Sequence, residues 1–482
     1  MFQLVSVARF AAVAVATLLR ALGPRGWLGR PGGSRLRFWR DAAQVAGLAH
    51  VEETGSTLSG WAGDLHVRLS RYKASRAYGT RIAISGPSLP QALKICGDQT
   101  PAVDRSASQI ATGDRDFDRV ARVEGPPALA RAVLDGETRR ALKSLFEGQL
   151  TVPGRSTFWA TGWFDAGVLH VEVPEVTPGS LVAGGDWLHA DPQDESWDAG
   201  YNAVAGLDRL PQALQRVIAL ARRLAAPTDV PLRVAENLKH EPEGDVRLRL
   251  LTTLSREFPD LPLTREAQLA ARDDPDPEVR LQAGIALGPE GADTLVHLAH
   301  GEGAEDATTR RAVAALGMRL TTAAALSILS GALRTRHAAT ASACIGVLGA
   351  RGGGEGVARL QKVLAVEGPE LAAAAAAALA NALAGSAETA LVAALDHRDT
   401  KVRIAAAQAL GAVGTVVAVS RLKLAEAQDP PLRAAARQAI AAIHSRLPGA
   451  APGQLSLAGG EAGRLSMATE ADGRLSLSGK ED

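Results

Sequence analysis

The chain has 482 residues, which is too long for one ordinary core and suits two or three folded units. Its 53 Lys and Arg side chains balance 52 Asp and Glu, which excludes a chain-wide basic field of the kind that collects nucleic acid. The two cysteines, Cys96 and Cys344, lie far apart in sequence, so a disulfide framework is excluded and a reducing, cytoplasmic location is favoured.

Residues 1–38 form an Arg-rich segment with one apolar stretch, Phe10 to Leu19. This stretch has roughly half the length that crosses a bilayer, so we do not expect it to span a membrane. Arg9 and Arg20 bracket it, which is typical of a short amphipathic helix. Three interpretations stay open: a helix packed on its own domain, a helix lying on a membrane surface, and a targeting segment.

Residues 39–200 mix helix and strand patterns, and we predict an α+β domain of unknown role. Helices are expected from Trp39 to Leu48 and from starting points near Pro127 and Glu137. Alternating patterns predict strands at residues 65–69, 80–84 and 168–173. Residues 201–227 are expected to form connecting helices.

Aromatic residues almost disappear in the second half of the chain. All seven Trp, all three Tyr and seven of the eight Phe lie before Asn202, so Phe258 is the only ring that follows. A core without rings must be closed by Ala, Leu and Val, which suits helices whose small side chains let their backbones approach closely.

Residues 228–447 repeat a helical pattern every 29 to 33 residues. The positions that close each first helix are Leu254, Leu287, Leu316, Leu348, Leu379, Leu410 and Ile440. Glycine follows four of them directly, at Gly288, Gly317, Gly349 and Gly411. We interpret these four glycines as left-handed caps that end their helices.

A capping Asp and an aliphatic residue followed by Arg precede several of these positions. The clearest pairs are Val279 with Arg280, followed by Ala283, and Val402 with Arg403. We expect the Asp to cap the helix and the aliphatic side chain to enter the core. The stem of the Arg is expected to cover the neighbouring repeat.

The resulting pattern, Asp-x-x-Val-Arg-x-x-Ala-x-x-Ala-Leu-Gly, resembles the HEAT family, and the period near thirty resembles its short variant, known from phycobilisome lyases and bacterial scaffolds. The best copies are Asp274 to Gly288 and Asp399 to Gly411, whereas copies between Asp306 and Gly385 are degenerate. The resemblance covers residues 228–447. It implies an armadillo-like α-α superhelix, a solenoid whose exposed helices bind a partner protein.

Residues 448–482 are predicted to be a flexible tail with three ten-residue copies of the motif Gly-x-Leu-Ser-Leu/Met. We expect the copies to add as short strands to the sheet edge of a partner. A low-complexity expansion and strands packed on the chain's own domain remain as alternatives. The alternating apolar positions are Leu455, Leu457, Leu465, Met467, Leu475 and Leu477.

No pattern in the chain predicts a catalytic residue, a cofactor or a metal. The pair His240-Glu241 resembles one element of a HEAT-repeat hydroxylase family that binds di-iron through several such pairs, but it stands alone. His297 and His300 share a predicted helix face without a second pair of ligands. The acidic run from Asp273 to Glu278 lacks the central Gly of a calcium loop and is interpreted as a capped turn.

Asp114, Asp116 and Asp118 form the densest carboxylate group of the first domain. Because Arg115 and Arg119 interleave with them, we expect mutual pairing on a turn rather than acid-base chemistry.

We therefore expect a non-catalytic scaffold or adaptor for a protein partner, with a membrane-surface contact of the N-terminus left open and no nucleic acid or metal bound. The first alternative is a protein-modifying lyase or maturation factor resembling the phycobilisome lyases, which is an analogy of fold. The second alternative is a nucleic-acid-binding HEAT solenoid, which would require Lys and Arg to dominate its inner helices.

Overall fold

The structure is a computed structural model that describes residues 31–74, 77–97, 109–147, 149–152, 155–174, 210–301, 303–381, 387–446, 455–457 and 465–467. The chain forms two compact units that divide between Thr264 and Arg265. The apolar stretch before Arg20 and the tail positions Leu475 and Leu477 lie outside the described residues. Within the described ranges, no helix combines the length and the apolar character that crossing a membrane requires.

The first unit is an α+β structure, as the mixed sequence pattern predicts. Its strands are β1 (Ala49–Thr54), β2 (Thr57–Ala62), β3 (Leu65–Ala74), β4 (Ala77–Ser85), β5 (Lys94–Gly97), β6 (Ala121–Glu124), β7 (Gln149–Val152), β8 (Arg155–Trp159), β9 (Thr161–Asp165) and β10 (Val168–Pro174). Its helices are α1 (Pro31–Val45), α2 (Arg115–Val120), α3 (Pro127–Val133), α4 (Gly136–Phe146), α5 (Leu210–Arg223), α6 (Val230–His240) and α7 (Gly244–Glu257).

Eight strands form one antiparallel sheet in the order β1-β2-β3-β4-β10-β9-β5-β6, and β7 pairs separately with β8. The predicted strands near residues 65, 80 and 168 are confirmed as β3, β4 and β10, and the helices predicted near residues 127 and 137 are α3 and α4. The predicted helix at Trp39 begins earlier, at Pro31, and ends at Val45.

Apolar side chains on one face of this sheet are buried under helices α1, α4 and α5. Their alternation along β3 and β4, at Val67, Leu69, Ile82 and Ile84, is the period-two pattern of a sheet with one covered face. The indole of Trp39 is buried here and donates from Nε1 to the hydroxyl of Thr80 at 3.0 Å. The core of the first unit therefore lies between the sheet and its helices.

The described residues of the second unit form helices, apart from the two tail strands. Helix α8 (Pro262–Ala270) spans the division, and α9 (Pro277–Ala286), α10 (Ala292–Ala299), α11 (Asp306–Leu316), α12 (Thr322–Thr335), α13 (Ala338–Arg351), α14 (Gly354–Val366), α15 (Pro369–Leu379), α16 (Glu388–Ala394), α17 (Thr400–Val413), α18 (Val416–Gln428) and α19 (Arg433–Ser445) follow. The tail strands are β11 (Leu455–Leu457) and β12 (Leu465–Met467).

These helices form consecutive antiparallel pairs around one continuous hydrophobic core, which runs from Leu281 to Ile443. The first helices of the pairs, α11, α13, α15, α17 and α19, pack directly on one another in that order. Each pair depends on its neighbours to bury its apolar face, which is the behaviour of a solenoid.

Close approach between first helices depends on two glycines. A Cβ added at Gly349 of α13 would lie 2.7 Å from the Cβ of Ala378 in α15. At Gly411 of α17 it would lie 3.1 Å from the Cα of Ala439 in α19. Glycine at these sites lets the backbones meet, which compensates for the missing aromatic volume.

The interpretation of the four repeat glycines as caps is correct for two and wrong for two. Gly288 and Gly317 follow the ends of α9 and α11 with positive φ, 60° and 49°. Gly349 and Gly411 lie inside their helices instead, which continue to Arg351 and Val413. All four glycines follow a Leu in the sequence. At Gly349 and Gly411, however, a neighbouring helix lies too close for a larger residue.

Substitution of Gly349 by Ala should lower the free energy of unfolding of the second unit by about 1–3 kcal/mol, because the new methyl group overfills the contact with Ala378. Gly346→Ala is the matched control. Gly346 lies on the same helix with no atom within 4 Å of the added Cβ, and this change should stabilise the unit by about 0.5–1 kcal/mol.

Urea unfolding followed by far-ultraviolet ellipticity measures both changes. Tryptophan fluorescence provides an internal control, since all seven Trp precede Asn202 and report on the first unit. Equal effects of the two substitutions would contradict the close helix contact.

Candidate protein-interaction surface

The signature residues of the repeat lie in the core and its turns. Val279, Ala283 and Val402 are buried, as are Leu287, Leu316, Leu348 and Leu410 at the repeat positions. They hold the helical pairs together and are not available to a partner. A binding surface has to come from other positions on the helices.

The repeated Arg fastens the turn before its own helix. Arg280 donates from Nη1 to the backbone carbonyls of Asp274 and Pro275 at 2.7 and 3.1 Å. Arg403 donates in the same way to the carbonyls of His397 and Arg398, both at 2.9 Å. These bonds satisfy turn carbonyls, which sequence alone did not predict.

The capping role predicted for Asp is confirmed in the two best copies. Asp276 accepts from the N–H of Glu278, and Asp399 accepts from the N–H of Lys401, both at 2.8 Å. The acidic run that begins at Asp273 is therefore a capped turn, as predicted.

The degenerate copies use a different polar contact between repeats. Asp306 of α11 accepts from the backbone N–H groups of Ala339 and Thr340, each at 2.9 Å, and from the hydroxyl of Thr340 at 2.7 Å. It thus caps the first helix of the next repeat, α13. Burial opposes the charged form, but these donors outweigh it and hold the pKa of Asp306 below its ordinary value.

Exposed aliphatic side chains mark the outer face of two second helices. On α18, Val417 is 64% exposed and Leu424 is 42% exposed, and their spacing of seven residues places them on one helix face. Val366, at the end of α14, is 69% exposed. The opposite face of α18 is buried through Ala418, Val419 and Leu422, so Val417 and Leu424 are aliphatic residues beyond those that the core of this helix uses.

A second group of interest is the ring cluster on the sheet face opposite the helices of the first unit. The imidazole of His170 stacks on Trp163 at 4.8 Å, and the guanidinium of Arg81 lies 5.8 Å from the same indole. Arg81 is also paired with Glu172, at 3.0 Å from its Nε. Burial, and then the charge of Arg81, lower the pKa of His170, so its ring is neutral at physiological pH.

The carboxylates of the first domain are not paired with the arginines between them, so that expectation was wrong. Asp114 caps α2 through the N–H of Phe117 and pairs with Arg139 at 3.0 Å. Asp118 accepts from the N–H groups of Thr112 and Gly113, both at 3.0 Å. Asp118 is thus bound by the backbone of its own loop, and Asp114 by Arg139 of α4, 25 residues away in sequence.

Arg139 also binds Glu241, the carboxylate of the His240-Glu241 pair. Its Nη2 donates to both oxygens of Glu241 at 2.9 and 3.0 Å, and both side chains are almost completely buried. Asn237 of α6, the helix that ends just before Glu241, donates from its side-chain amide to the backbone carbonyls of Arg131 and Ala132. The helical pair α6–α7 is therefore fastened to the α+β domain, and the carboxylate of Glu241 is already engaged.

The remaining histidines suggested by sequence do not form a site. His297 on α10 and His300 at its end are exposed, as is His240. Among the described residues, no group of three or more His, Cys, Asp or Glu side chains is placed to hold a metal.

Two copies of the tail motif pair with each other. β11 and β12 are antiparallel, with Leu455 opposite Met467, Ser456 opposite Ser466 and Leu457 opposite Leu465. Copies of the motif can therefore act as β-strands toward one another. The third copy lies outside the described residues.

Comparison with known proteins identifies the repeat. Residues 357–441 match the family model of HEAT repeats. A structure of human deoxyhypusine hydroxylase in complex with glycerol aligns over 48% of this chain and 91% of its own, with 19% identity and a TM-score of 0.24. An engineered protein aligns over 45% of this chain and 92% of its own, with 19% identity and a TM-score of 0.18. No curated protein sequence matches the chain. At these TM-scores neither structure bears on its activity.

Loss of the buried cation at Arg139 should destabilise the first unit by about 3–5 kcal/mol, because Glu241 would keep an uncompensated buried charge. The change Arg139→Ala is compared with Lys143→Ala on the same helix, whose partner Asp116 is exposed and whose loss should cost less than about 1 kcal/mol. Tryptophan fluorescence during urea unfolding reports on this unit. Adding Glu241→Gln to Arg139→Ala should recover part of the lost free energy of unfolding, because it removes the unpaired charge. A further decrease would contradict this explanation.

The cap provided by Asp306 should make the second unit sensitive to acid. Because the folded-state pKa is lowered, its stabilising contribution is complete at neutral pH and is lost as the pH falls below about 4. Asp306→Asn should cost about 1 kcal/mol at pH 7, and its difference from the wild type should shrink as the pH falls below about 4. Ellipticity-detected unfolding across this pH range checks the prediction, with the exposed Asp293→Asn as control. A difference that persists unchanged at low pH would count against the charged cap.

Proposed function

We propose that this chain, a HEAT-repeat protein, is a non-catalytic scaffold that holds a protein partner against the outer faces of its second helices. The observation that carries the proposal is the exposed pair Val417 and Leu424 on α18. HEAT repeats generally mediate contacts between proteins, which supports the same assignment.

The exposed pair Val417 and Leu424 suits a partner protein that presents apolar side chains of its own. Burying a Val or Leu side chain contributes about 1.5–3 kcal/mol, so two such residues can supply the centre of a small interface. Ser420 lies between them on the same exposed helix face, with Lys423 beside Leu424. Two exposed aliphatic side chains with polar neighbours suit the mixed composition of a protein-docking surface.

The charge on the second helices favours a protein over nucleic acid. Helices α12, α14, α16 and α18 carry Arg334, Arg359, Lys362, Arg421 and Lys423 against Glu355, Glu388 and Glu426. Arg421 is already paired with Asp396. Such a mixed set gives no concentrated basic surface to neutralise a run of phosphates.

The state of the cysteines supports a non-catalytic role. Burial raises the pKa of Cys344 to about 12, and burial also raises the pKa of Cys96. Both thiols are buried and protonated at neutral pH, whereas a nucleophilic cysteine needs an accessible thiolate. This observation disfavours a lyase that would attach a group through either cysteine.

The tail motifs are proposed as a second contact with the partner. The pairing of β11 with β12 supports the idea that a Leu-Ser-Leu copy can add to a β-strand edge. Several weak motifs on one chain would raise the apparent affinity through their effective concentration.

Replacing Val417 and Leu424 together by Asp should weaken partner binding by at least about a hundredfold, because two buried aliphatic contacts would become desolvated charges. The measurement is quantitative capture of proteins from the source cells by the immobilised full chain. Gln408→Asp, an exposed site on the first helix α17, is the matched control. We expect the wild type and the control to recover the same proteins, and the double variant to lose them.

Truncation of the tail and a heparin column separate the remaining interpretations. A chain that ends at Pro448 lacks all three motifs, and equal recovery of partners by this chain would remove the tail from the proposal. Recovery of the same proteins by the double variant would remove the α18 surface. Firm retention of the full chain on heparin at low salt would favour the nucleic-acid alternative instead.

A further inference from the structure

A cleft of about 520 Å³ opens within the first unit. Its walls come from the N-terminus of α4, the C-terminal end of α5 and the first turns of α6. Arginines dominate its polar lining: Arg222, Arg223 and Arg233 face one carboxylate, Asp135. The remaining lining consists of small side chains, including Ala132 and Pro227.

The carboxylates near the cleft pair with two of the three guanidinium groups. Asp135 uses one oxygen to cap α4, at 2.8 Å from the N–H of Thr138, and the other to accept from Arg233 at 3.0 Å. Arg223 is paired with Glu137, an exposed residue of α4. Arg222 has no hydrogen-bond or ion-pair partner within the described part of the chain. Arg233 also pairs with Glu236 at 3.5 Å, so among the described residues Arg222 is the one guanidinium of the lining left without a carboxylate.

We infer that this cleft binds the phosphate group of a small molecule. The guanidinium of Arg222 offers the planar, multiple N–H donors that recognise phosphate oxygens, and Arg223 and Arg233 line the same space with positive charge that a phosphate can share with their carboxylate partners. The volume lies in the range of small-molecule sites and is too small for a protein segment with its own fold. The apolar side chains at Ala132 and Pro227 would contact the uncharged part of the ligand.

The ion pair of Glu137 with Arg223 predicts how a substitution changes the affinity of the cleft for phosphate. Glu137 competes with the ligand for Arg223, so removing its charge should release that guanidinium to the cleft and tighten binding. Loss of Arg222 should weaken binding. A purely structural role for these exposed side chains would produce neither change.

The experiment is isothermal titration of the full chain with inorganic pyrophosphate, inorganic phosphate and acetate at constant ionic strength. We expect one saturable site for pyrophosphate and phosphate, and none for acetate. Arg222→Ala should raise the dissociation constant at least about tenfold, and Glu137→Gln should lower it. Arg216→Ala, on the same helix but outside the cleft lining, should leave it unchanged.

Three results would overturn the inference: no saturable heat with either phosphate probe at millimolar concentration, equal heats with acetate, or equal affinities for the Arg222→Ala and Arg216→Ala variants. Tryptophan fluorescence of each variant confirms that the first unit is folded, so a loss of binding reports on the cleft itself.

Discussion

The helical half of this protein depends on the close approach of successive first helices. With no aromatic ring after Phe258, the space between helices is removed by bringing backbones together rather than by filling it with large side chains. Gly349 against Ala378 and Gly411 against Ala439 are two points where first helices come this close. Dispersion contacts between small side chains are individually weak, so the core is stable only because it continues without interruption from one repeat to the next.

The period of the repeat was sufficient to predict the helical pairs, because the Leu buried at six of the seven repeat positions and the Asp caps of the two best copies depend on local sequence. The role of a glycine was not predictable in the same way. Leu-Gly at Gly317 ends a helix, whereas Leu-Gly at Gly349 continues one, and the difference lies in a residue of the neighbouring helix. Long-range partners explain the other corrections as well: Asp114 and Glu241 both bind Arg139, which no local pattern connects to them.

The candidate surface was harder to predict than the fold. Val417 and Leu424 look like core residues in a sequence, and only the packing of the opposite face of α18 shows that they are exposed. One signal was available in principle: a helix with apolar residues on both faces has more of them than its own core needs. The first two degenerate copies show the same dependence on a distant partner, because Asp306 of α11 accepts from Thr340 of α13 and so connects adjacent first helices.

Site-specific photo-crosslinking in living cells tests most directly whether α18 is a docking surface. A photoreactive amino acid is placed at position 417, at position 424 or, as the reference, at position 408 of the full chain. We expect a discrete protein adduct from the first two positions and none from the third. Adducts of equal yield at all three positions, or none at 417 and 424 while 408 reacts, would contradict it.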